Sequence, residues 1–464
     1  MFELAILGGK VVSGAGVAAR DVFVSGGRVV SLSPSSSKKP FSAARVIDAR
    51  GLLVLPGIID AHAHFRLKMG PGKYTADDFT SGSAAAVCGG ITTFIDYTGQ
   101  GPGESPLAGL QARVKEAAGR SYADFSFHCM LTGWAKLKNP AALMGAAVKA
   151  GAPTFKMFTA YGARGLMADN TELSAALKAA ARLGALICVH AENGPAIDFL
   201  AGLYSGKNGI KALPLSRPPF TETESVCRVA ALAAGAKAPV YFVHLSTEGS
   251  AAILAAARKK GLKVMGETCP QYLALDENIF EGRDGHLYSC CPPIRTAGDN
   301  AALWSAAAAG SVQTIATDNC TFTRAQKDEW GGDVRKLPMG LPGSQTLLPT
   351  AYTYGVKAGK ITVERMVELL CENPARIMGL AGRKGFIRPG FDADFAIVDP
   401  ATNTKVDWRK LKHNTQYSPW QGRMLYGFPK YTVLRGQVVA EAGELTAPKT
   451  FLGQFQPRTK PQLI

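Results

Sequence analysis

The chain has 464 residues, 47% of them hydrophobic and 19% charged, which excludes a disordered or fibrous polypeptide and leaves room for a large domain plus a smaller one. No apolar run approaches the roughly 20 residues needed to span a bilayer, and MFELAILGGKVVSG lacks the basic start of a signal peptide. The formal net charge of +16 is scattered rather than gathered into a basic arm, so it reads as surface solvation and gives no sign of a nucleic-acid partner.

The first fifty residues read as short strands: LAILGGKVVS, DVFVSGGRVVSLS and RVIDARGLLVLPG. Val, Ile and Leu alternate there with small or polar residues, and Gly-Gly pairs punctuate them. Eight apolar runs follow: LLVLPGIIDAHAHF, GITTFIDYT, ADFSFHCMLTGW, APTFKMFTAY, ALICVHAEN, APVYFVHLS, LKVMGETCPQYL and SVQTIATDNC. Ala-rich stretches of helical spacing lie between them, such as TELSAALKAAARLG, each ending near a Gly or Pro. Short continuous apolar strands alternating with helices predict a parallel sheet buried on both faces. Eight such units in about 270 residues fit an α/β fold of the closed (β/α)₈ TIM-barrel type. An open doubly wound sheet is the alternative, but no G-x-G-x-x-G follows the first strand.

From Lys384 onward the opening texture returns in KGFIRPGFDADFAIVDP and YTVLRGQVVAEAG. We therefore expect both termini to build one small β-sandwich domain, residues 1–55 and 384–445, flanking a barrel domain of residues 56–383. Residues 446–464 are polar and Pro-bearing, and read as an extended C-terminal tail.

The ends of the barrel runs carry the chemistry. The first ends in Asp60-Ala61-His62-Ala63-His64. Two histidines at i and i+2 on a strand point to one side, so both can reach one ion. Lys156 sits in the fourth run, His190 ends the fifth, His244 the sixth and Asp318 the eighth. Four of the seven histidines thus fall at the strand ends where barrels build active sites. Taken singly, each has a plain alternative: a hydrogen-bonded core histidine, or a surface lysine on a misread strand. Together they predict a metal site for Zn²⁺ or a similar borderline cation.

PGIIDAHAH, TFKMFTAYG, CVHAEN, FVHLS, SCCPPIR, ATDNC, SRPPFTETE, NPARIMGLAGRKGFIRPGFDADFAIVD and HNTQYSPWQG resemble the cyclic amidohydrolases of the dihydropyrimidinase and hydantoinase family. The resemblance runs from the first strands to about Gly443. It implies a small cyclic amide as substrate, a dihydropyrimidine, hydantoin or related ureide or imide, opened to an N-carbamoyl amino acid or its equivalent. It also implies two divalent ions, Zn²⁺ first and Mn²⁺ or Co²⁺ as alternatives. His62, His64 and Asp318 would hold the more buried ion and His190 and His244 the other. Lys156 would bridge them as N6-carboxylysine, its carbamate formed from CO₂. A water between the ions would supply hydroxide near neutral pH. Asp318 would pass its proton to the leaving ring nitrogen, and Tyr161 would hydrogen-bond the developing oxyanion, a packed tyrosine being its plain alternative. The backbone of Ser289 would hold the ring amide. Phe158 and the Gly/Pro-rich loop 65–74 would shape the substituent pocket. A homotetramer, or a homodimer, is implied too, with the C-terminal tail reaching a neighbour. Nine cysteines without C-x-x-C spacing read as free thiols in a reducing cytoplasm, with no membrane partner.

Three departures bear on substrate. Arg66 gives H-x-H-x-R, as in dihydroorotases, and would bind an acidic ring substituent or simply face outward from its loop. MGLPGSQT makes Pro342 the candidate to offer a backbone carbonyl to the substrate, with Gln345 where the family has an acid. Asn319 follows Asp318 where His is common, and can still support the site by hydrogen bonding. A dihydroorotase-like or allantoinase-like enzyme is one rival reading. A non-catalytic scaffold like the collapsin response mediator proteins is the other, set against a full complement of ligand types.

Overall fold

The computed structural model describes residues 1–35, 41–70, 72–99, 101 and 103–464. Its centre is a ring of parallel strands: β1 (Ile58–His64), β2 (Ile91–Tyr97), β3 (Asp124–Met130), β4 (Thr154–Phe158), β5 (Leu186–His190), β6 (Val240–Phe242), β7 (Val264–Thr268) and β8, in two pieces, Thr314–Ile315 and Asn319–Cys320. The first piece of β8 pairs with β7, and the second pairs with β1 through Cys320 and His64. The ring therefore closes as a (β/α)₈ barrel. Both β2 and β3 are buried along their whole length, the environment that makes such strands read as unbroken apolar runs.

The returning helices show why the sequence alternates. Helix Asn170–Leu183 opens on Asp169, whose side chain accepts the Glu172 N–H, and stops at Gly184, which takes a left-handed φ of 65°. Between these caps Leu173, Ala176, Leu177 and Ala180 are buried, the i, i+3, i+4, i+7 stripe of a helix laid on a sheet. Truncating Leu177 to Ala would cost about 2–5 kcal/mol through lost contact and the void left behind.

The chain's two ends share a second sheet of nine strands. Leu53–Pro56 pairs antiparallel with Phe395–Val398, which joins the N-terminal strands to the C-terminal ones. The long strand Phe2–Ser13 pairs with Ala43–Asp48 through residues 2–7 and with Leu53–Pro56 through residues 10–11. It changes partner at Gly8, whose φ is 71°, where an irregularity lets the strand turn from one layer to the next. Leu4, Ile6, Val22, Val54, Phe395 and Val433 fill the space the sheet encloses. The flanking β-sandwich is thus one continuous hydrogen-bonded sheet bent over its own core.

At the seam between barrel and sandwich, Lys384 Nζ lies 2.7 Å from Asp124, 2.6 Å from Asp394 and 3.2 Å from Asp392, all four buried. Asp124 starts β3, so this cluster fastens the two bodies together. The C-terminal tail is extended, as its composition predicts, but it lies on its own barrel. Gln456 N–H donates to the Phe125 carbonyl at 2.7 Å, and the buried Arg458 donates to Ser126 Oγ at 2.9 Å and Thr154 Oγ1 at 2.7 Å. Arg458 thus finds its acceptors within the chain. Among the described residues no helix is long and apolar enough to cross a membrane.

Candidate active site

β1 brings His62 and His64 to its C-terminal end with both Nε2 atoms turned inward, 3.2 Å apart. Asp318 reaches them from β8, its Oδ1 lying 3.1 Å from His62 Nε2 and 3.3 Å from His64 Nε2. It can do so because β8 is broken there: Asp318 takes a φ of 49°, and Thr317 is tied to Asp60 of β1 by its N–H at 3.0 Å and its hydroxyl at 2.6 Å. Of nine non-glycine residues with positive φ among the described residues, four are Arg66, Tyr161, His244 and Asp318. Such backbone costs energy, and here it aims side chains that a regular strand would direct elsewhere.

β5 and the end of β6 supply a second pair, with His190 Nδ1 2.9 Å from His244 Nε2. The rings of His62 and His244 are 5.5 Å apart, so the two groups share one space. Lys156 of β4 enters the same cavity, with its Nζ 5.1 Å from the Tyr97 ring and 5.2 Å from the Phe158 ring. Among the described residues no carboxylate lies within ion-pair distance of it, and burial lowers its pKa to about 8.

The donor set fits metal ions. Two ligands of a tetrahedral Zn²⁺, each about 2.0–2.1 Å from the ion, stand about 3.3 Å apart. The three atoms of His62, His64 and Asp318 stand at nearly that spacing. Neutral imidazoles are also what this environment favours at three positions: burial pushes His64 down to about 4, His190 below its ordinary value and His244 well below its ordinary range. Each cluster has a carboxylate behind it. His62 Nδ1 lies 2.7 Å from Glu267, which also accepts the Tyr241 hydroxyl at 2.8 Å. His190 Nε2 lies 2.7 Å from Glu192, itself gripped by Arg217. Burial alone would raise the Glu192 carboxyl, but Arg217 and His190 hold it down at about 2. Carboxylates so placed fix each imidazole tautomer and leave the other nitrogen's lone pair for a cation.

Glu267 and Glu192 were not singled out from sequence. Glu267 lies one residue before the C-terminal end of β7, close to where the positional rule marked the histidines, and Glu192 follows His190 by two residues. An acid at a strand end is so common that neither stood out.

The other expected residues divide. Tyr161 and Phe158 line a cavity of about 880 Å³ together with all six candidate ligands. Tyr161 packs 4.9 Å from the His190 ring and 5.4 Å from the Arg217 guanidinium, and burial raises its phenol's pKa well above the ordinary value, leaving it a proton donor at neutral pH. Leu67, Met69, Lys73 and Tyr74 of the loop 65–74 border the cavity; Pro71 lies outside the described residues.

Arg66 is not brought in. Its left-handed backbone turns it to Glu116, 2.8 Å away, and over the Tyr74 ring. Pro342 and Gln345 do not line the cavity either; Leu337, Pro338 and Met339 form that stretch of wall. Gln345 instead accepts the Lys412 N–H at 2.7 Å. Ser289 lies behind the wall, its carbonyl already accepting from Gly340 N–H at 2.9 Å and Lys327 Nζ at 3.0 Å. A substrate bond to that carbonyl would have to displace one of these. Asn319 supports the site as an acceptor, its Oδ1 taking the N–H of Gly343 at 2.8 Å and of Ser344 at 3.2 Å.

A cluster of strand-end imidazoles, a buried lysine and one aspartate in a barrel mouth has relatives. The chain is 36% identical to a D-hydantoinase of Streptomyces coelicolor over 99% of its own length and 98% of that protein's. It is 37% identical to a D-phenylhydantoinase of Escherichia coli over 98% of both. Among solved structures it superimposes on the dihydropyrimidinase of Brevibacillus agri with a TM-score of 0.94, at 33% identity over 99% of each chain. The D-hydantoinase of Bacillus sp. AR9 gives a TM-score of 0.93 at 35% identity, again over 99% of each. Residues 53–439, the barrel with the sandwich strands that flank it, match the model of the amidohydrolase family, and the chain belongs to that family.

Proposed function

We propose that the chain opens cyclic ureides, hydantoins and dihydropyrimidines among them, by hydrolysing a ring amide C–N bond to give N-carbamoyl amino acids. The observation that carries this reading is the convergence of His62, His64 and Asp318 at 3.1–3.3 Å in one cavity with Lys156, His190 and His244. Two divalent ions held there, most simply Zn²⁺ with Mn²⁺ or Co²⁺ as substitutes, would polarise the ring carbonyl and acidify a water.

The chain's own residues do the rest. Lys156, with its depressed pKa, has a neutral amine within reach near neutral pH. Its nitrogen adds to CO₂ and loses a proton, so a +1 group becomes a −1 carbamate that suits two cations. The Asp318 carboxylate takes the proton from the attacking water and delivers it to the ring nitrogen as the C–N bond breaks. Tyr161 donates its phenol proton to the carbonyl oxygen as charge builds. Glu267 and Glu192 keep the imidazoles oriented, and Phe158 shields the reacting ring from bulk water.

A homotetramer is proposed as the assembly. Phe199, Leu203, Leu215 and Phe220 are exposed on consecutive helical segments, an apolar area that a second copy would cover. A reducing cytoplasm suits nine cysteines that are all unpaired.

Metal analysis of the purified protein, with ring-opening assays on hydantoin and dihydrouracil, tests the reading. We expect about two ions per chain and turnover of at least one ring; a fully loaded protein that leaves both rings intact would overturn it.

A further inference from the structure

The cavity carries more positive charge than ring opening requires. Besides Lys156 and Asp318, and Arg217 which is paired with Glu192, the charged residues lining it are Lys73, Arg164, Arg335 and Lys336, against the acids Asp198 and Glu329. Arg335 is already held by Asp333 at 2.7 Å. Among the described residues, Lys73, Arg164 and Lys336 form no ion pair with any carboxylate, and all three are exposed. The same cavity is also lined by the apolar side chains of Met130 and Phe158.

Arg164 is the best placed of the three. It closes the short helical turn Gly162–Arg164 directly after Tyr161, where the Arg164 N–H donates to the Tyr161 carbonyl at 3.1 Å. Its guanidinium lies 5.6 Å from the centroid of the Tyr161 ring, a stacking distance that restrains an otherwise mobile side chain. Beside the Tyr161 phenol, at the wall of the same cavity, Arg164 thus presents a planar fork of N–H donors suited to a carboxylate.

We infer that the preferred substrate is a cyclic ureide whose ring substituent ends in a carboxylate, with Arg164 as the main specificity determinant and Lys336 and Lys73 assisting; this rests on the ring-opening function proposed above. The acid-binding role moves from Arg66, which faces Glu116, to the opposite side of Tyr161 in sequence. Only the recognition of the arm is new, and no further bond is made or broken.

The test uses the metal-loaded protein and two hydantoins of matched size, one with a carboxyethyl arm and one with the neutral carbamoylethyl arm, beside unsubstituted hydantoin. We expect kcat/KM to favour the acid by about tenfold, the scale of a charge-assisted contact discounted for solvent exposure, and the preference to shrink at high ionic strength. Arg164→Gln should lower the acid-to-amide ratio about tenfold, Arg164→Lys should restore part of it, and Lys336→Gln should lower it less. Arg66→Gln should leave the ratio where it was. A wild-type ratio near one, or a ratio indifferent to Arg164→Gln, overturns the inference while turnover of hydantoin still upholds the function. Failure to open any of the three rings overturns both.

Discussion

His62 and Glu267 form a buried pair, Nδ1 to Oε1 at 2.7 Å, and this pair decides which face of the imidazole looks at Asp318. With the Nδ1 proton committed to the carboxylate, Nε2 keeps its lone pair for a cation. Glu267→Gln keeps the shape and loses the charge, so the imidazole becomes a weaker ligand with a less fixed tautomer. We expect metal affinity to fall by about 10–100-fold, measured by competition with a chelator, with the circular dichroism spectrum unchanged.

Lys327 gives a pH dependence away from the ligands. It is fully buried, and its Nζ donates to the carbonyls of Leu287 and Ser289 and to Ser289 Oγ at 3.1, 3.0 and 2.8 Å. Burial lowers its pKa from 10.5 to about 7. Between those values the unfolded chain binds the proton and the folded chain does not, so stability rises with pH across that window and is lower below about pH 7. Lys327→Met removes the rise. Denaturant unfolding at a series of pH values should show the wild type gaining on the variant from about pH 7 upward by a slope of about one proton; parallel curves would exclude the shift.

What the sequence made legible follows from what periodicity encodes. The four histidines and Asp318, which share one cavity, stand out in the sequence because barrel strands are continuous apolar runs whose C-terminal ends face one mouth. Lys156 stands inside such a run, and only the resemblance gave it a role. The break in β8 was hidden, since SVQTIATDNC reads as one strand and nothing local announces the positive φ of Asp318. For Arg66, spacing from the motifs leaves two orientations open, inward to a substrate or outward from its loop, and loop backbone decides between them by turning it to Glu116; Pro342, on another loop, does not line the cavity. Ser289 illustrates a third limit, because its carbonyl is engaged by Lys327 and Gly340, residues 38 and 51 positions away (327 − 289 and 340 − 289).

Lys384 was seen only as the start of a strand-rich stretch, yet it carries the contact between the two bodies. Three buried aspartates share its ammonium, with Arg435 also on Asp124 and Arg383 on Asp392. Burial favours the neutral amine, but the three carboxylates outweigh it and raise the pKa above its ordinary value. Lys384→Met would strand these charges, at a cost of about 3–5 kcal/mol. Replacing Asp394 by Asn in the same chain should recover part of the loss, since one fewer carboxylate is left uncompensated. Unfolding midpoints of the single and double variants measure this, and an additive double variant would show that the groups do not interact.

Arg458 decides between a tail that serves its own barrel and one that serves a neighbour. The residue is 3% exposed and has no acid partner among the described residues; its donors go to Ser126, Thr154 and the carbonyls of Phe127 and Met378. Burial without a carboxylate lowers its pKa to about 10, and four hydrogen bonds to oxygens offset the cost of burying the guanidinium. Phe455 adds ring contacts to Phe125 and Phe127, at 6.3 and 6.5 Å between centroids. Arg458→Ala leaves Ser126 Oγ, Thr154 Oγ1 and two carbonyls with a vacant contact each, and we expect a loss of about 2–4 kcal/mol. Because these bonds lie within one chain, the loss should be independent of protein concentration, and the mass of the particle by light scattering should match the wild type. A destabilisation that grows on dilution, or a smaller particle, would instead place the tail on a neighbouring subunit.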